Sequence, residues 1–121
     1  MKAAAAPEQI DAAARALADG TRRGLLRLVR AEEMAAGDLA ERFPHMSRPA
    51  VSQHLRVLHQ AGLVSIRADG NRRLYRARAE GFSEVWRFID EMWADSLARL
   101  KHAAEAEERR RAAADTTRRD A

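Results

Sequence analysis

One continuous stretch, residues 47–75, constrains the fold more than any other part of the chain. Ser47 is suited to cap a helix because its hydroxyl can accept a hydrogen bond from an amide one turn later, and Pro49 fits a first helical turn. The apolar positions that follow are spaced by four and three, as on one buried helical face: Val51, Leu55 and Leu58. Gly62 is typical of the residue just beyond a helix. The stretch therefore predicts a capped helix over residues 47–61.

A β-hairpin is predicted directly after this helix. Residues 63–67 alternate between apolar and polar side chains, and residues 72–78 alternate again. The turn sequence Asp69-Gly70-Asn71 lies between them and favours a tight reversal of the chain. We therefore predict a hairpin over residues 63–78.

The rest of the domain is predicted to be helical. Apolar spacing indicates three helices before the capped one, over about 7–19, 21–30 and 36–43, and Pro44 ends the third. A short turn then leads into the capped helix, which is a helix-turn-helix pattern. A long amphipathic helix follows the hairpin. The predicted fold is mainly α with a small β-hairpin wing, a winged helix-turn-helix in the order α-α-α-α-β-β-α.

The length of the chain, 121 residues, suits a single domain. We place this domain at residues 7–105. Beyond it the sequence is rich in alanine, glutamate and arginine and contains no aromatic residue. Residues 106–121 are therefore predicted to form a charged, disordered tail.

Positive charge is concentrated around the capped helix and the hairpin. Between Arg42 and Arg78 the chain has eight arginines and one acid, a net charge of +7, whereas the whole chain carries +4. Lys2 and Lys101 are the only lysines among the 22 basic residues, and the planar guanidinium of arginine suits phosphates and guanine edges. A local arginine field on a helix and a hairpin favours a polyanionic partner, and we predict double-stranded DNA.

The predicted DNA-contacting side chains lie on the polar side of the capped helix and on the hairpin. Arg48 and Arg56 can pair with guanine or phosphate, and Gln53 can pair with adenine. Arginines near the hairpin turn can grip phosphates or enter a minor groove. The full predicted set is Arg48, Ser52, Gln53, His54, Arg56, Arg67, Arg72 and Arg73.

The long last helix carries a stripe of two tryptophans and several aliphatic residues. A chain of this length cannot easily bury the whole stripe internally, so we predict that the helix pairs with a second copy. Two recognition helices about 34 Å apart would then suit an inverted repeat in DNA. The predicted dimerisation residues, two of them on the first helix, are Ile10, Leu17, Phe82, Trp86, Ile89, Trp93, Leu97 and Leu100. The alternative is a protein-interaction module that uses the same tryptophan-rich helix.

Composition and spacing argue against several other classes of protein. Without cysteine, the chain has neither disulfides nor thiolate metal sites. No apolar run approaches membrane-spanning length, and the residues before Pro7 are too few for a signal sequence, so we predict a cytoplasmic protein with no membrane partner. Ser52 and His54 lie too close on one helix to form a nucleophile–base pair with an orienting acid. We therefore predict neither an enzyme nor a cofactor.

Several segments together resemble the ArsR/SmtB-type winged-helix repressors. They are LADGTRR (17–23), GDLA (37–40), SRPAVSQHL (47–55), AGLV (61–64) and GNRRLY (70–75). The resemblance implies a homodimeric bacterial transcription regulator that binds operator DNA, usually represses, and is associated with the nucleoid when bound. By the same resemblance, DNA contacts fall on the recognition helix and the wing, at Arg48, Ser52, Gln53, His54, Arg56, Arg72 and Arg73.

The resemblance also implies metal sensing, and here the sequence departs from the family. Alanine and glycine occupy the places of the usual cysteine pair before the Asp-Leu of the third helix. A second family site lies on the last helix. His102 and Glu105 match its second half, but the first half falls on Ile89 and Glu91, which is a poor zinc shell. We predict the metal-independent branch, with no metal site and no evident small-molecule or metal effector. A metal-responsive repressor with a site on the last helix is the alternative.

Overall fold

The computed structural model describes residues 7–120 and contains five α-helices and three strands within that range. In chain order the elements are α1 (Pro7–Leu17), α2 (Gly20–Ala31), β1 (Met34–Ala35), α3 (Ala36–Glu41), α4 (Arg48–Gln60), β2 (Val64–Asp69), β3 (Arg72–Ala77), a short 3₁₀ helix (Ala79–Phe82) and α5 (Ser83–Asp120). The predicted winged helix-turn-helix fold is confirmed, with one strand more than predicted.

The additional strand, β1, makes the wing part of a three-stranded antiparallel sheet. The strand order is β1-β3-β2, so β3 lies in the centre. Tyr75 of β3 pairs with Met34 of β1 on one side and with Ile66 of β2 on the other. Two residues are too few to show an alternating pattern, and β1 forms because β3 offers it an unpaired edge.

The core lies between the helices of residues 7–60 and one face of the sheet. Its largest fully buried side chains are all aliphatic: Leu25, Val29, Leu39, Val51, Leu55, Leu58, Leu63 and Val64. The three apolar residues predicted on the buried face of the capped helix are among them. No polar or charged side chain is buried in the part of the chain that the structure describes. Apolar burial, worth about 1.5–3 kcal/mol for each large aliphatic side chain, is therefore the main support of the fold.

Helix α4 ends at Gln60, and Gly62 lies just beyond it, as the sequence predicted, with a φ of +77°. The amide of Leu63 donates to the carbonyl of Leu58 over 3.0 Å, and the amide of Gly62 donates to that of His59 over 2.9 Å. This is a Schellman motif, which favours glycine at the left-handed position. The backbone of Gly81 approaches the same point so closely that a Cβ atom there would lie 1.9 Å from the Gly62 carbonyl oxygen. The chain entering α5 is therefore held against the end of α4.

The described chain divides after Trp86 into two compact units, and most of α5 belongs to the second. The first unit contains the core, the helix-turn-helix and the wing. The second is helical throughout as far as Asp120. No helix within residues 7–120 has the length and apolar character that a membrane span needs.

The end of α5 differs from the sequence prediction, because residues 106–120 are helical where a disordered tail was expected. Alanine, glutamate and arginine are strong helix formers. Glu107 also forms ion pairs one turn along the helix, at 2.6 Å with Arg110 and 3.5 Å with Arg111. These local interactions support a helix that has no packed core of its own. Residue 121 lies outside the described residues.

Candidate nucleic-acid interface

Helix α4 presents four of the predicted DNA-contacting residues on its outer side. The Ser47 hydroxyl caps the helix by accepting a hydrogen bond from the backbone amide of Ala50 over 3.2 Å. The apolar side of the helix is buried in the core, which turns the polar side to solvent. The exposed residues on that side are Arg48, Ser52, Gln53 and Arg56.

Gln53 and Arg56 are joined to each other on this exposed side. Nη1 of Arg56 donates a hydrogen bond to Oε1 of Gln53 over 2.6 Å. The contact orients both side chains and leaves the Gln53 amide NH₂ and most of the guanidinium free to donate to a partner. Arg48 lies over the backbone of α3, where a Cβ atom on Gly37 would come within 2.8 Å of its Nη2. The hydrogen-bond donors on this side of α4 are therefore held in position by neighbouring residues.

His54 has a different environment from its neighbours on α4. Its ring is half-buried, and Nδ1 accepts a hydrogen bond from Nη1 of Arg22 over 3.2 Å. A guanidinium can only donate, so Nδ1 is the acceptor in this contact. The same nitrogen lies 3.9 Å from the carboxylate of Asp19. His54 thus links α4 to the start of α2, and DNA contact by this residue stays a prediction.

Arg22 is a positioning residue that sequence reasoning missed. Its Nε donates to the carbonyl of Ala16 over 2.7 Å and its Nη2 to that of Arg15 over 2.8 Å, so one side chain ties α1, α2 and α4 together. Asp19 caps α2 by accepting from the Arg22 backbone amide over 3.0 Å. That hydrogen bond is the main reason that the pKa of Asp19 is lowered, and partial burial opposes it. The side-chain contacts link residues as far as 32 positions apart, which no local pattern reveals.

Two of the predicted wing arginines are paired with acids. Arg67 makes a two-point contact with Glu33, from Nε to Oε2 over 3.1 Å and from Nη2 to Oε1 over 2.6 Å. This contact is the chief cause of a lowered pKa for Glu33 and a raised pKa for Arg67. Nη2 of Arg72 donates to Oδ2 of Asp38 over 3.0 Å. Sequence reasoning missed both acids, because they come beside the hairpin only through the pairing of β1 with β3.

Arg73 is the predicted wing residue that keeps an unpaired guanidinium. Gly70 adopts a φ of +62° at the predicted turn, and Arg73 follows it as an exposed residue of β3. No residue of the described chain forms a hydrogen bond or ion pair with its side chain. Glu33 and Asp38 lie just outside the basic stretch that the sequence singled out, and extending the stretch back to Glu33, which also includes Glu41, lowers its net charge from +7 to +4. The wing is therefore less positive than the sequence alone indicated.

The predicted dimerisation residues fall into two groups. Those on α5 are exposed: Trp86, Ile89, Trp93, Leu97 and Leu100. The other three, Ile10, Leu17 and Phe82, are half-buried. Leu17 and Phe82 pack against the core of their own domain, and Phe82 belongs to the 3₁₀ helix rather than to α5. Phe88 and Met92, which are not among the predicted dimerisation residues, widen the exposed apolar face of α5.

Metal-ligating side chains do not gather anywhere in the described chain. No three histidine, aspartate or glutamate side chains within residues 7–120 come together in a group that could hold a metal ion.

Comparison with known proteins identifies the family. A helix-turn-helix domain family matches residues 17–67, which run from the end of α1 into β2. The chain is 44% identical over 87 residues to the HTH-type transcriptional regulator Rv2034 of Mycobacterium tuberculosis, covering 72% of this chain and 80% of that protein. It is 30% identical to a solved ArsR-like transcriptional regulator from Rhodococcus sp. RHA1, with a TM-score of 0.66, covering 77% of this chain and 87% of that one. The chain belongs to the ArsR-type family of winged helix-turn-helix transcriptional regulators.

A second curated relative of this ArsR-type regulator covers a shorter region. The transcriptional repressor SdpR of Bacillus subtilis is 43% identical over 56 residues, which cover 46% of this chain and 61% of that protein. The family resemblance read from the sequence motifs is therefore confirmed.

Proposed function

We propose that this ArsR-type regulator is a homodimeric repressor that binds an inverted-repeat operator in double-stranded DNA. The observation that carries the proposal is the exposed polar side of α4, where Gln53 and Arg56 are already oriented by a mutual hydrogen bond. Membership of a family of transcriptional regulators supports DNA as the partner, and the name of the relative SdpR supports repression. The proposal locates the protein in the cytoplasm, on the nucleoid when bound, and gives it no catalytic role.

The two parts of the interface have different roles in this proposal. Helix α4, with the residues that flank it over 47–61, enters the major groove, where Gln53 and Arg56 reach base edges. The wing over residues 63–78 contacts the phosphate backbone, chiefly through Arg73. His54 also holds α4 on the domain through its contact with Arg22. Residues of α4 therefore select sequence, and those of the wing supply affinity for any sequence.

The exposed apolar face of α5 supports the dimer. Large apolar side chains at three- and four-residue spacing form a continuous stripe that the described chain leaves open to solvent. Pairing of two such stripes would remove them from water and place two α4 helices on one DNA duplex. An inverted repeat with half-sites about one DNA turn apart, or 34 Å, is the matching operator.

Fluorescence anisotropy tests the proposal, with labelled DNA from the region upstream of the gene that encodes this protein. We expect binding roughly a thousandfold or more tighter than to random DNA of equal length, at the same salt concentration. Equal affinity for both DNAs would contradict it.

Gln53→Ala and Arg73→Ala are expected to have different effects on binding. Loss of the glutamine should reduce discrimination between the operator and a mismatched site by about 1–3 kcal/mol, because a base contact is removed. Loss of the arginine should weaken binding to all sequences and flatten the salt dependence by about one unit, because one phosphate contact is removed. Titrations at several salt concentrations measure both quantities. If the two variants behaved alike, the assignment of roles would be wrong.

Glu33→Gln is expected to strengthen binding to DNA of any sequence. The substitution removes the charge that now holds Arg67 in a two-point ion pair, so Arg67 becomes available to a phosphate. We expect the salt dependence to steepen by up to about one unit. Glu32→Gln is the matched control, since it makes the same change in net charge at an exposed neighbour that pairs with no arginine of the described chain. An equal gain in both variants would show that Arg67 itself makes no difference.

A further inference from the structure

A groove beside α2 has an apolar floor and opens to solvent. It lies between α2, the end of β3 and the 3₁₀ helix, and has a volume of about 860 Å³. Leu26, Ala77 and Phe82 contribute to its floor. All the lining residues belong to the unit that contains the core and the wing. The volume is in the range of about 300–1,000 Å³ that is usual for small-molecule sites.

Arginines surround this floor. The five that line the groove are Arg23, Arg27 and Arg30 of α2, with Arg76 of β3 and Arg78 after it. The single acid of the lining is Glu80, so the groove has a formal charge of +4. Such a concentration of one charge around an apolar surface produces a positive potential that favours an anion.

Three of these guanidinium groups have no direct partner in the described chain. Within the described chain no side chain or backbone group forms a hydrogen bond or ion pair with the guanidinium of Arg27, Arg30 or Arg76. Arg76 contributes at longer range to lowering the pKa of Glu33, but Glu33 is already paired with Arg67. Arg27 and Arg30 lie about one helical turn apart, which suits them to face a common ligand.

We propose that this groove binds a small organic anion with an apolar body, such as a carboxylate attached to an alkyl chain or an aromatic ring. The acid group would accept hydrogen bonds from Arg27, Arg30 and Arg76, and the apolar body would cover Leu26 and Phe82. DNA phosphates would satisfy the arginines but leave the apolar floor unused. Arg76 lies on a wing strand, so an anion held here touches both α2 and the base of the wing. The site is independent of the proposed operator binding.

Two-dimensional ¹H–¹⁵N NMR of the full chain, without DNA, tests the site with octanoate as the probe. We expect saturable shifts of backbone amides in residues 23–30 and 76–82. Acetate has the carboxylate but no long alkyl chain, and octanol has the alkyl chain but no charge. Each should bind at least about tenfold more weakly than octanoate, because both parts of the groove are needed. 1-Naphthoate extends the comparison from alkyl to aromatic acids. Whichever of octanoate and 1-naphthoate binds more tightly shows whether the groove prefers an alkyl chain or an aromatic ring.

Variants of the rim locate the binding in the groove. Arg27→Gln combined with Arg30→Gln should weaken octanoate at least about tenfold, whereas Arg109→Gln combined with Arg118→Gln, two exposed arginines of α5, should change nothing. All four are surface positions, and circular dichroism checks that each variant folds. Ala77→Trp is a second test. It fills the apolar floor and leaves the charges intact, so it should also weaken octanoate binding. The proposal is overturned if octanoate does not bind, if octanol binds equally well, if both arginine pairs have the same effect, or if the shifts map to residues 86–100. The last outcome would mean that the probe binds the apolar face of α5.

Discussion

Replacing Trp93 with aspartate is expected to convert the protein from a dimer into a monomer. The side chain of Trp93 is 62% exposed and that of Trp86 is 66% exposed, although tryptophan is among the residues that most favour burial at an interface. In a two-fold interface each substitution occurs twice. Central interface tryptophans cost about 2–4 kcal/mol each, so the dissociation constant should rise at least about a thousandfold.

Ala98→Asp is the matched control for this prediction. It introduces the same charge into α5 at an exposed position about 140° further around the helix, away from the apolar stripe. Sedimentation equilibrium or light scattering at several concentrations measures the association of both variants. We expect the control to stay dimeric. A wild-type protein that is monomeric at all concentrations would instead favour the alternative, in which α5 docks a different protein.

Dimer loss should also be visible in DNA binding. A monomer presents one α4 helix and reads one half-site, so Trp93→Asp should weaken operator binding far more than binding to an isolated half-site. If a monomeric variant kept the wild-type affinity for the operator, the proposal that a dimer binds both half-sites of an inverted repeat would be wrong.

Gly81→Ala is expected to destabilise the domain strongly. A Cβ atom at this position would lie 1.9 Å from the carbonyl oxygen of Gly62 and 2.7 Å from its carbonyl carbon. Both are backbone atoms, and Gly62 itself is held in a left-handed conformation by the hydrogen bonds that end α4. Neither backbone segment can therefore move away without a large cost in free energy. We expect the free energy of unfolding to fall by about 3 kcal/mol, at the upper end for overpacked sites.

Gly20→Ala is the matched control. A Cβ atom there would meet only the flexible end of Arg23, at 3.6 Å, and α2 begins at this residue. Thermal unfolding at a fixed protein concentration should show a melting temperature lowered by roughly 10–20 °C for Gly81→Ala and no loss for Gly20→Ala. If Gly81→Ala were as stable as the wild type, the close backbone approach would be wrong.

The parts of the fold that were predicted correctly are those encoded by neighbouring residues. Ser47 caps α4 by bonding to an amide three positions on, and Gly62 ends it through contacts at most five positions back. The hairpin turn at Gly70 is equally local. Long α-helical periodicity and the tight turn chemistry of the hairpin were therefore sufficient for the winged helix-turn-helix fold. The two-residue strand β1 was missed because it has no periodicity of its own.

The candidate site was predicted less completely than the fold. Arg48, Ser52, Gln53 and Arg56 form one exposed side of α4, as the spacing indicated. The sequence did not distinguish His54 from these neighbours, because the ring is held by a residue 32 positions away. It also treated all wing arginines alike. The structure separates the unpaired Arg73 from the two that face acids.

The sequence by itself determined that a capped helix and a basic hairpin follow one another, and it carried enough family motifs to indicate a DNA-binding regulator. Local hydrogen bonds and side-chain periodicity act within a few residues, and they leave a readable pattern. Only the tertiary structure decided which charged side chains remain unpaired and available to bind a partner. Glu33 reaches Arg67 and Asp38 reaches Arg72 across 34 positions of sequence, while Arg27, Arg30 and Arg76 line one groove and form no ion pair within the described chain. Such pairings depend on where the folded backbone places each side chain, because electrostatic interactions follow distance in space rather than along the chain.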